Sequence, residues 1–355
     1  MNPLEYCQNF NLIDFVSESP DSIAPFSLTL EKFDVYFRDA GVLEIKPKQP
    51  SNVNIVLSAG VHGNETAPIE ILSDIVSRIL RQEITLKVNL LVIIGNPHAM
   101  LAQERFTGFN LNRLFDGAWK DYLDDPEAGP EAKRAKALEQ HVTQFFTQTN
   151  QEESEQDGLG QVRIHYDLHT AIKPSLHQKF VIYPYQQGRN HSKAQIRFLI
   201  DAGIETILLY HKPGTTFSYF STNQFKAHGF TLELGKVKPF GQNNREDFLQ
   251  FEQALTQQLT GEYEFESFPE IADANLYRVK KELIRHSEMD ELAFDSANTA
   301  NFTQFNKGEL LLDAGKNSYL TEQDGEAIVF PNNKVPVGQR MGLVIEKLSE
   351  LDLSI

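Results

Sequence analysis

Apolar runs alternate with helical patterns along most of the chain. The runs at 54–59 and 88–94 are rich in Val, Ile and Leu and short, which is typical of buried strands. Between them, apolar residues recur at helical spacing, at Ile69, Leu72, Ile75, Val76, Ile79 and Leu80. A strand, a helix and a second strand in this order predict an α/β fold.

Further patterns extend this sheet. Before residue 50, alternating segments predict edge strands at 26–30, 35–37 and 42–45. Later segments predict more strands of the main sheet, at 162–170, 179–182, 206–209 and 230–235. A helix is predicted around Glu131 to Thr147, followed by an acidic, solvated loop over 148–160.

The pattern changes near Phe265, after a predicted helix from Arg245 to Gly261. Short alternating segments follow, at 277–281, 309–312, 326–330 and 342–345, with polar turns between them. We therefore expect a catalytic domain over residues 1–262 and a smaller β-rich domain over residues 263–355.

Composition and charge narrow the class of protein. The 355 residues carry a formal net charge of -16, which argues against nucleic acid or an anionic membrane as partner. The single cysteine, Cys7, excludes an intramolecular disulfide and a site built from several thiolates. The amino terminus does not resemble a secretory signal, and no apolar run approaches the ~20 residues of a membrane span. These features predict a cytoplasmic, soluble protein.

An H-x-x-E pair follows the first buried strand. His62 and Glu65 lie in the segment Gly60 to Pro68, at the carboxyl end of the strand, where open α/β sheets bind their ligands. An imidazole and a carboxylate can share one Zn²⁺, and a third protein ligand leaves the fourth position to water. Taken alone, most such pairs are a turn residue and a helix-start carboxylate, so a third ligand is required.

The segment 162–170 supplies a third candidate. Strand alternation places His165, Asp167 and His169 on one face, and His169 lies nearest the carboxyl end. We therefore predict His169 as the ligand. Asp167 could orient an imidazole or a water molecule, and His165 is interpreted as structural.

Glu233 and the loop at 105–115 add candidates for catalysis and binding. Glu233 lies inside an apolar strand, where a carboxylate is costly unless it is paired or functional, and a zinc hydrolase needs a base near its water. The alternative is a salt-bridged or edge-facing glutamate. The loop, with Arg105, Asn112 and Arg113, is either an anion clamp or an ordinary surface loop.

Together these segments resemble the aspartoacylase and succinylglutamate desuccinylase family, relatives of the zinc carboxypeptidases. The resemblance covers essentially the whole chain, and its motifs lie at 60–70, 112–113, 167–170 and 231–235. The resemblance implies a zinc carboxypeptidase-like mixed sheet flanked by helices. It also implies one Zn²⁺ per subunit, with His62, Glu65 and His169 as its ligands.

The resemblance extends to the residues around the metal. Glu233 matches the general base, and Arg105 matches the arginine that polarises the scissile carbonyl. Asn112 and Arg113 match the pair that holds the α-carboxylate of the released amino acid. The family often has Asp two residues before this pair, where the present chain has Asn110.

The implied reaction is hydrolysis of N-succinyl-L-glutamate, a small anionic N-acyl amino acid, as the last step of arginine breakdown through succinylated intermediates. The succinyl carboxylate requires another cation or a cluster of amides, and Lys173 is our candidate because it follows the ligand strand by four residues. Two alternatives stay open: a deacylase of another substrate such as N-acetylaspartate, or a metal-dependent binding protein without turnover.

Overall fold

The structure is a computed structural model that describes residues 3–153, 161–266 and 269–349. Within them the chain forms eight α-helices: α1 Pro3–Gln8, α2 Leu12–Glu18, α3 Thr66–Leu80, α4 Pro97–Ala102, α5 Gly129–Glu153, α6 Lys193–Asp201, α7 Phe217–Phe225 and α8 Leu249–Thr260. Short 3₁₀ helices are described at Leu111–Arg113, Ala118–Tyr122, Arg245–Phe248 and Gly315–Asn317.

Sixteen strands are described in the same residues. The first nine are β1 Phe26–Thr29, β2 Phe33–Asp39, β3 Val42–Pro47, β4 Val53–Ala59, β5 Asn89–Ile94, β6 Val162–Ala171, β7 Phe180–Tyr183, β8 Thr206–Leu209 and β9 His228–Lys236. The other seven are β10 Asn275–Ile284, β11 Glu291–Leu292, β12 Thr303–Phe305, β13 Leu310–Asp313, β14 Tyr319–Leu320, β15 Glu326–Val329 and β16 Arg340–Lys347.

Thirteen of these strands form one mixed sheet, in the order β1-β2-β3-β5-β4-β6-β9-β7-β8-β10-β16-β15-β12. At its centre β5, β4, β6 and β9 run parallel, and β7 is antiparallel to β9. The strands β11, β13 and β14 form a small second sheet. This arrangement confirms the predicted α/β fold with a mixed sheet and a β-rich carboxyl-terminal part.

Helices cover both faces of the central sheet, which explains its continuous apolar runs. In β4, Ile55 and Leu57 pack in one core with Ile75 of α3. Val56, between them, belongs to the core on the opposite face, together with Phe217 of α7. Alternate side chains of one strand therefore fill two different cores.

Before the central sheet the strands were predicted correctly, but two helices were not. The strands β1, β2 and β3 extend the sheet as edge strands, because β3 pairs with β5. The sequence interpretation missed α1 and α2, which are six and seven residues long. Helices of fewer than two turns are too short for a clear helical repeat.

The predicted helix at 131–147 is longer in the structure, because α5 continues to Glu153. The acidic stretch was predicted to be a loop from residue 148, so its first residues were assigned wrongly. The rest of that predicted loop, residues 154–160, lies outside the described residues.

The main sheet continues into the carboxyl-terminal part. The strand β10 pairs in parallel with β8 and antiparallel with β16. Phe180 and Leu208 share a core with Tyr277, Leu343 and Ile345 across this junction. The division at residue 262 stays a prediction. No α-helix in the described ranges is long and apolar enough to cross a membrane.

Candidate active site

Three parallel strands bring the predicted site residues to one place. His169 near the end of β6 is the register partner of Glu233 in β9. Ser58 of β4 is the partner of Asp167 in β6. After β4 the chain turns at Gly60, whose φ of +65° favours glycine, and carries His62 and Glu65 towards these strand ends.

His62, Glu65 and His169 converge at this edge. The Nδ1 atoms of His62 and His169 each lie 2.9 Å from an oxygen of the Glu65 carboxylate. One ligand atom from each residue lies within 4.8 Å of the other two, and all three residues are buried. Two imidazoles and one carboxylate form a donor set that zinc hydrolases use, so the residues fit a Zn²⁺ ion.

The outer nitrogen of each imidazole also has a partner. His62 Nε2 lies 3.0 Å from Asn110 Oδ1, and His169 Nε2 lies 2.9 Å from Asp167 Oδ2. Because an amide oxygen and an ionised carboxylate can only accept hydrogen bonds, each Nε2 donates its proton to these oxygens. Such partners fix the ring orientation of metal-binding histidines.

A buried hydrogen-bonded chain continues behind Asp167. The Ser58 hydroxyl donates to Asp167 Oδ1 at 2.6 Å, and His165 Nε2 lies 2.9 Å from Ser58 Oγ. His165 Nδ1 lies 2.7 Å from Ser221 Oγ. Burial lowers the pKa of His165 to about 4, so its imidazole is neutral at pH 7. With Nε2 as donor and Nδ1 as acceptor, every hydroxyl hydrogen in the chain points toward Asp167.

Neighbouring ionisable groups shift the pKa values within the cluster. Burial alone would raise the pKa of Glu65, but the charges of His62 and His169 lower it well below its usual value. Burial would likewise lower the pKa of His169, but Asp167 and Glu65 raise it well above the usual value. Glu65 is therefore ionised at neutral pH, which is the form that a cation requires.

Glu233 lies beside this cluster in a different environment. It is only 8% exposed, and its Oε2 has no hydrogen-bond partner among the described residues. Its register partners are His169 on one side and Phe180 on the other. Burial, and then the charge of Glu65, raise the pKa of Glu233 to about 7. This carboxyl can therefore exchange a proton near neutral pH.

The arginine loop, residues 105–113, reaches the same cluster. Arg105 Nη1 donates to Glu65 Oε1 at 2.7 Å. Asn112 Nδ2 lies 3.5 Å from His169 Nε2, and Asn112 Oδ1 accepts a hydrogen bond from the Phe217 amide at 2.9 Å. The loop is thus attached both to the cluster and to the first turn of α7.

Arg113 lies next to Asn112 in the arginine loop. Its Nη1 donates to the Asn112 carbonyl at 2.7 Å. Although Arg113 keeps exposed surface, the desolvation of its guanidinium lowers its pKa to about 10, and the positive charges of Arg340 and Arg105 act in the same direction. A guanidinium group that keeps exposed surface and is also partly enclosed by protein can bind a ligand.

Comparison with known proteins agrees with the motifs. The family model for the succinylglutamate desuccinylase/aspartoacylase catalytic domain matches residues 51–259, more than half of the chain. The chain belongs to this family. A second family model, for the AstE/AspA barrel-sandwich hybrid domain, matches residues 272–348.

Relatives in the family are similar over nearly their whole length. Succinylglutamate desuccinylase from Shewanella denitrificans is 43% identical over 348 residues, which cover 96% of this chain and 97% of the relative. A crystal structure of the Vibrio parahaemolyticus enzyme of that name has a TM-score of 0.83, with 32% identity and 96% of both chains covered. The structure of the enzyme from Chromobacterium violaceum has a TM-score of 0.80 at 32% identity, covering 95% of this chain and 98% of that one.

Membership of the desuccinylase/aspartoacylase family confirms the resemblance, but it does not place Lys173 in the site. The Lys173 Nζ donates to the carbonyls of Ser296 and Ala297, at 2.8 and 3.3 Å. Among the described residues it makes no hydrogen bond or ion pair with His62, Glu65 or His169. Its role in binding the acyl carboxylate stays a prediction.

Three residues around the cluster were missed from the sequence. Asn110 was noted only as a departure from the family pattern, and its contact with His62 was not foreseen. Ser58 and Ser221 had no signal at all, because a serine in an apolar strand or helix looks the same whether or not it meets a carboxylate. The one sequence signal for contacts around the cluster was Asp167, a charged residue two positions before the proposed ligand His169.

Proposed function

We propose that this chain is a zinc-dependent amidohydrolase that converts N-succinyl-L-glutamate to succinate and L-glutamate. His62, Glu65 and His169 would hold one Zn²⁺ per subunit. The observation that carries the proposal is the buried carboxyl of Glu233 beside three converging ligand side chains, with one oxygen that has no hydrogen-bond partner among the described residues. The names of relatives that match this chain over nearly its whole length support the choice of substrate.

Zn²⁺ at these three side chains would supply Lewis acidity, which polarises the acyl carbonyl and lowers the pKa of water. In the proposed reaction Glu233 accepts the proton of the attacking water. It then returns this proton to the amine nitrogen as the C–N bond breaks. Without a metal the pKa of Glu233 is about 7, and a cation beside it would favour the ionised form that accepts the proton.

Two sets of side chains would orient the substrate. Arg105 uses one nitrogen on Glu65, and its remaining N–H groups can donate to the carbonyl oxygen as negative charge develops. One such donor typically contributes ~3 to 4 kcal/mol to transition-state stabilisation. Asn112 and Arg113 hold the α-carboxylate, for which the planar guanidinium offers two parallel hydrogen bonds.

The proposal includes a pathway and a location. Hydrolysis of N-succinyl-L-glutamate would be the last step of arginine breakdown through succinylated intermediates, and the enzyme would act in the cytoplasm. The net charge of -16 is compatible with an anionic substrate, because charges beyond about 8 Å are largely screened at physiological salt. The nearby arginines would then dominate the field that the substrate meets.

The test is turnover by the purified protein, with metal content measured on the same preparation. We expect about one Zn²⁺ per chain and hydrolysis of N-succinyl-L-glutamate in preference to N-acetyl-L-glutamate and N-acetyl-L-aspartate. A chelator should remove activity, and added Zn²⁺ should restore it. Preference for another acyl amino acid would change the substrate, whereas tight binding without turnover would favour a binding protein. Activity that persists in protein shown to be metal-free would overturn the zinc mechanism.

A further inference from the structure

One buried carboxylate holds the middle of the arginine loop. Glu131 lies in the first turn of α5 and is only 3% exposed. Its Oε1 accepts three hydrogen bonds, from the Thr107 amide at 3.1 Å, the Thr107 hydroxyl at 2.6 Å and the Gly108 amide at 3.0 Å. Among the described residues its carboxylate has no other hydrogen-bond partner. The polar contacts of this side chain are therefore all made with the loop.

The same part of the loop packs closely against the start of α5. A Cβ added to Gly108 would lie 2.0 Å from the Glu127 carbonyl oxygen and 3.2 Å from Glu131 Oε2. The ring of the next residue, Phe109, packs on Tyr122, with the two ring centroids 4.9 Å apart. Residues 107–109 are thus fixed both by hydrogen bonds and by packing.

The helix α5 is itself attached to the central sheet. Three residues after Glu131, Arg134 donates from Nη2 to the Ile94 carbonyl and from Nε to the Gly95 carbonyl, both at 2.8 Å. Ile94 is the last residue of β5. Leu138 of α5 belongs to the core that also contains side chains of β4 and β5. The helix therefore connects the position of the loop to the strands next to the metal cluster.

On both sides of this attachment the loop contacts the metal cluster. Two residues before it, Arg105 donates to Glu65, and the Arg105 carbonyl accepts a hydrogen bond from the Gly63 amide at 3.2 Å. Two residues after it, Asn110 Oδ1 lies 3.0 Å from His62 Nε2. The Arg105 side chain is 33% exposed, so the surrounding protein only partly fixes it. The position of its guanidinium therefore depends on the loop backbone.

The end of the loop has an attachment of its own. Asn112 Oδ1 accepts a hydrogen bond from the Phe217 amide of α7, and the Arg113 amide donates to the Asn110 carbonyl at 2.9 Å. The residues proposed to hold the α-carboxylate are thus connected to α7. The part of the loop next to Arg105 is connected to α5 instead, so loss of the Glu131 carboxylate should affect Arg105 most.

We propose that Glu131 is a positioning residue, which holds the arginine loop against α5 so that Arg105 reaches the carbonyl of the bound substrate. The inference rests on the proposed function, in which Arg105 donates to that carbonyl as negative charge develops. Glu131 acts through the backbone of residues 107 and 108 and makes no contact with the substrate. Its reach is what matters: glutamine presents an acceptor oxygen at the same distance, whereas aspartate is shorter by one methylene group.

The experiment compares the wild-type holoenzyme with three variants of Glu131 in the hydrolysis of N-succinyl-L-glutamate. Glu131→Ala should lower kcat by ~10- to 100-fold, because displacing a group by about 1 Å from the reacting atoms can cost that much. KM should change little, and the Zn²⁺ content should stay at the wild-type value. Glu131→Gln should keep most of kcat, and Glu131→Asp should resemble Glu131→Ala. A variant Glu131→Asp that is more active than Glu131→Gln would show that charge matters and reach does not, which contradicts the inference.

Glu139→Ala is the matched control. Glu139 lies in the same helix, and its carboxylate accepts hydrogen bonds from the Gly117 amide at 3.1 Å and from Trp119 Nε1 at 2.8 Å, beyond the arginine loop. This variant should keep the wild-type kcat and KM. Melting temperatures of all variants report any loss of fold.

A double-mutant cycle tests whether Glu131 acts through Arg105. Arg105→Ala alone should lower kcat, and adding Glu131→Ala to it should cause no further loss, because the guanidinium that Glu131 positions is already absent. If the two losses multiply instead, Glu131 acts independently of Arg105 and the inference is wrong.

Hydrogen exchange provides a measurement that does not need turnover. In Glu131→Ala the amides of Thr107 and Gly108 lose their acceptor, so deuterium uptake should become faster in peptides that cover residues 106–109. Glu131→Gln should keep most of the wild-type protection. Glu139→Ala should instead speed exchange around residues 117–119 and leave residues 106–109 unchanged.

Failure of the proposed function has a separate outcome, because the wild-type holoenzyme then hydrolyses no N-acyl amino acid. Hydrogen exchange decides the inference in that case. Faster exchange at residues 106–109 in Glu131→Ala, with protection kept in Glu131→Gln, supports Glu131 as the residue that holds the loop. Unchanged exchange in Glu131→Ala contradicts it, as does wild-type kcat of this variant in an active enzyme. If Glu131→Ala does not fold, the comparison of Glu131→Gln with Glu131→Asp decides.

Discussion

Glu233 owes its protonation behaviour to its neighbours. An apolar register partner, Phe180, and a buried position disfavour the charged form, while the nearby Glu65 adds repulsion. We expect Glu233→Gln to lower kcat by ~10²- to 10⁴-fold, because the amide cannot accept the proton of water. Metal content should stay unchanged, since Glu233 is not a proposed ligand. Steady-state kinetics and metal analysis of the same sample measure kcat and metal content.

The matched control is Glu252→Gln in α8. Glu252 is also buried, its pKa is also raised by burial, and it pairs with Arg245 away from the site. This variant should keep wild-type kcat. Equal activity in Glu233→Gln and wild type would remove Glu233 from the chemistry.

Ser58 is hydrogen-bonded to His165 and to Asp167, and Asp167 contacts the proposed ligand His169. A change at Ser58 can therefore affect His169 through Asp167. Replacing it with alanine leaves Asp167 Oδ1 and His165 Nε2 without their shared partner. We predict that Ser58→Ala weakens Zn²⁺ affinity by ~10- to 100-fold, as is typical when a partner behind a ligand is lost. Competition with a chromophoric chelator measures this affinity directly.

Ser77→Ala is the control for that prediction. Ser77 is a buried serine of α3 that donates to the Phe10 carbonyl, outside the metal cluster. Both variants should lose about 1 kcal/mol or more of unfolding free energy, because each leaves a buried polar group unpaired. Only Ser58→Ala should lose metal affinity, and the same affinity in both variants would mean that Ser58 has no role at the metal.

Residues with a chemical signature were predictable from the sequence, and their partners were not. His62, Glu65, His169 and Glu233 stand at strand ends or in apolar strands, where an ionisable side chain is conspicuous. The contact of Asn110 with His62 depends on where the arginine loop folds back, and no local sequence pattern indicates this. Hydrogen-bond partners are chosen by tertiary neighbours, so a single sequence contains little information about them.

The turn between β4 and α3 sets the geometry of the first two ligands. Gly63 lies against α4 so closely that an added Cβ would be 2.0 Å from the Ala99 carbonyl carbon. We predict that Gly63→Ala forces the turn away from α4 and displaces His62 and Glu65. Zn²⁺ affinity and melting temperature should both fall, as measured by chelator competition and by calorimetry. Gly214→Ala is the control, because in the described part of the chain nothing lies within 4 Å of its added Cβ, and it should keep both values. Normal metal binding by Gly63→Ala would show that the turn tolerates movement.

Strands were predicted best where both of their faces are buried. The strands β4 and β5 produced continuous apolar runs because helices cover both sides of them. The predicted end of α5 at residue 147 was wrong. The acidic residues that follow lower the hydrophobicity of the segment but do not prevent it from being helical. A polar segment can remain helical when local propensity favours it, and glutamate and glutamine are good helix formers.

At the scale of the whole molecule, the carboxyl-terminal part completes the sheet. Without β10 the strand β8 would be an exposed edge, and the apolar residues Phe180 and Leu208 would lose the core that they share with Val279 and Ile345. The sequence showed a change of pattern near residue 265, but it did not show that the strands on both sides join one sheet. Pairing between distant strands follows from the tertiary fold.

Buried histidines should make the whole fold sensitive to acid. Burial lowers the pKa values of His165, His191 and His228 to about 4, against about 6.5 in an unfolded chain. Between these values the unfolded state binds protons that the folded state does not. The free energy of unfolding therefore falls as the pH drops from about 6.5 to 4, and the loss is complete below the folded-state pKa.

His191 allows a specific test of this acid sensitivity. Both of its ring nitrogens are buried without a hydrogen-bond partner in the described structure, and its ring meets Tyr183 edge to face at 4.9 Å. In His191→Phe a ring of similar shape remains and the titrating group is gone. Relative to wild type, the variant should gain about 1–2 kcal/mol of unfolding free energy on going from pH 7 to pH 5, measured by urea denaturation with chelator present. If His191→Phe follows the wild-type pH dependence, the burial of His191 does not control acid stability.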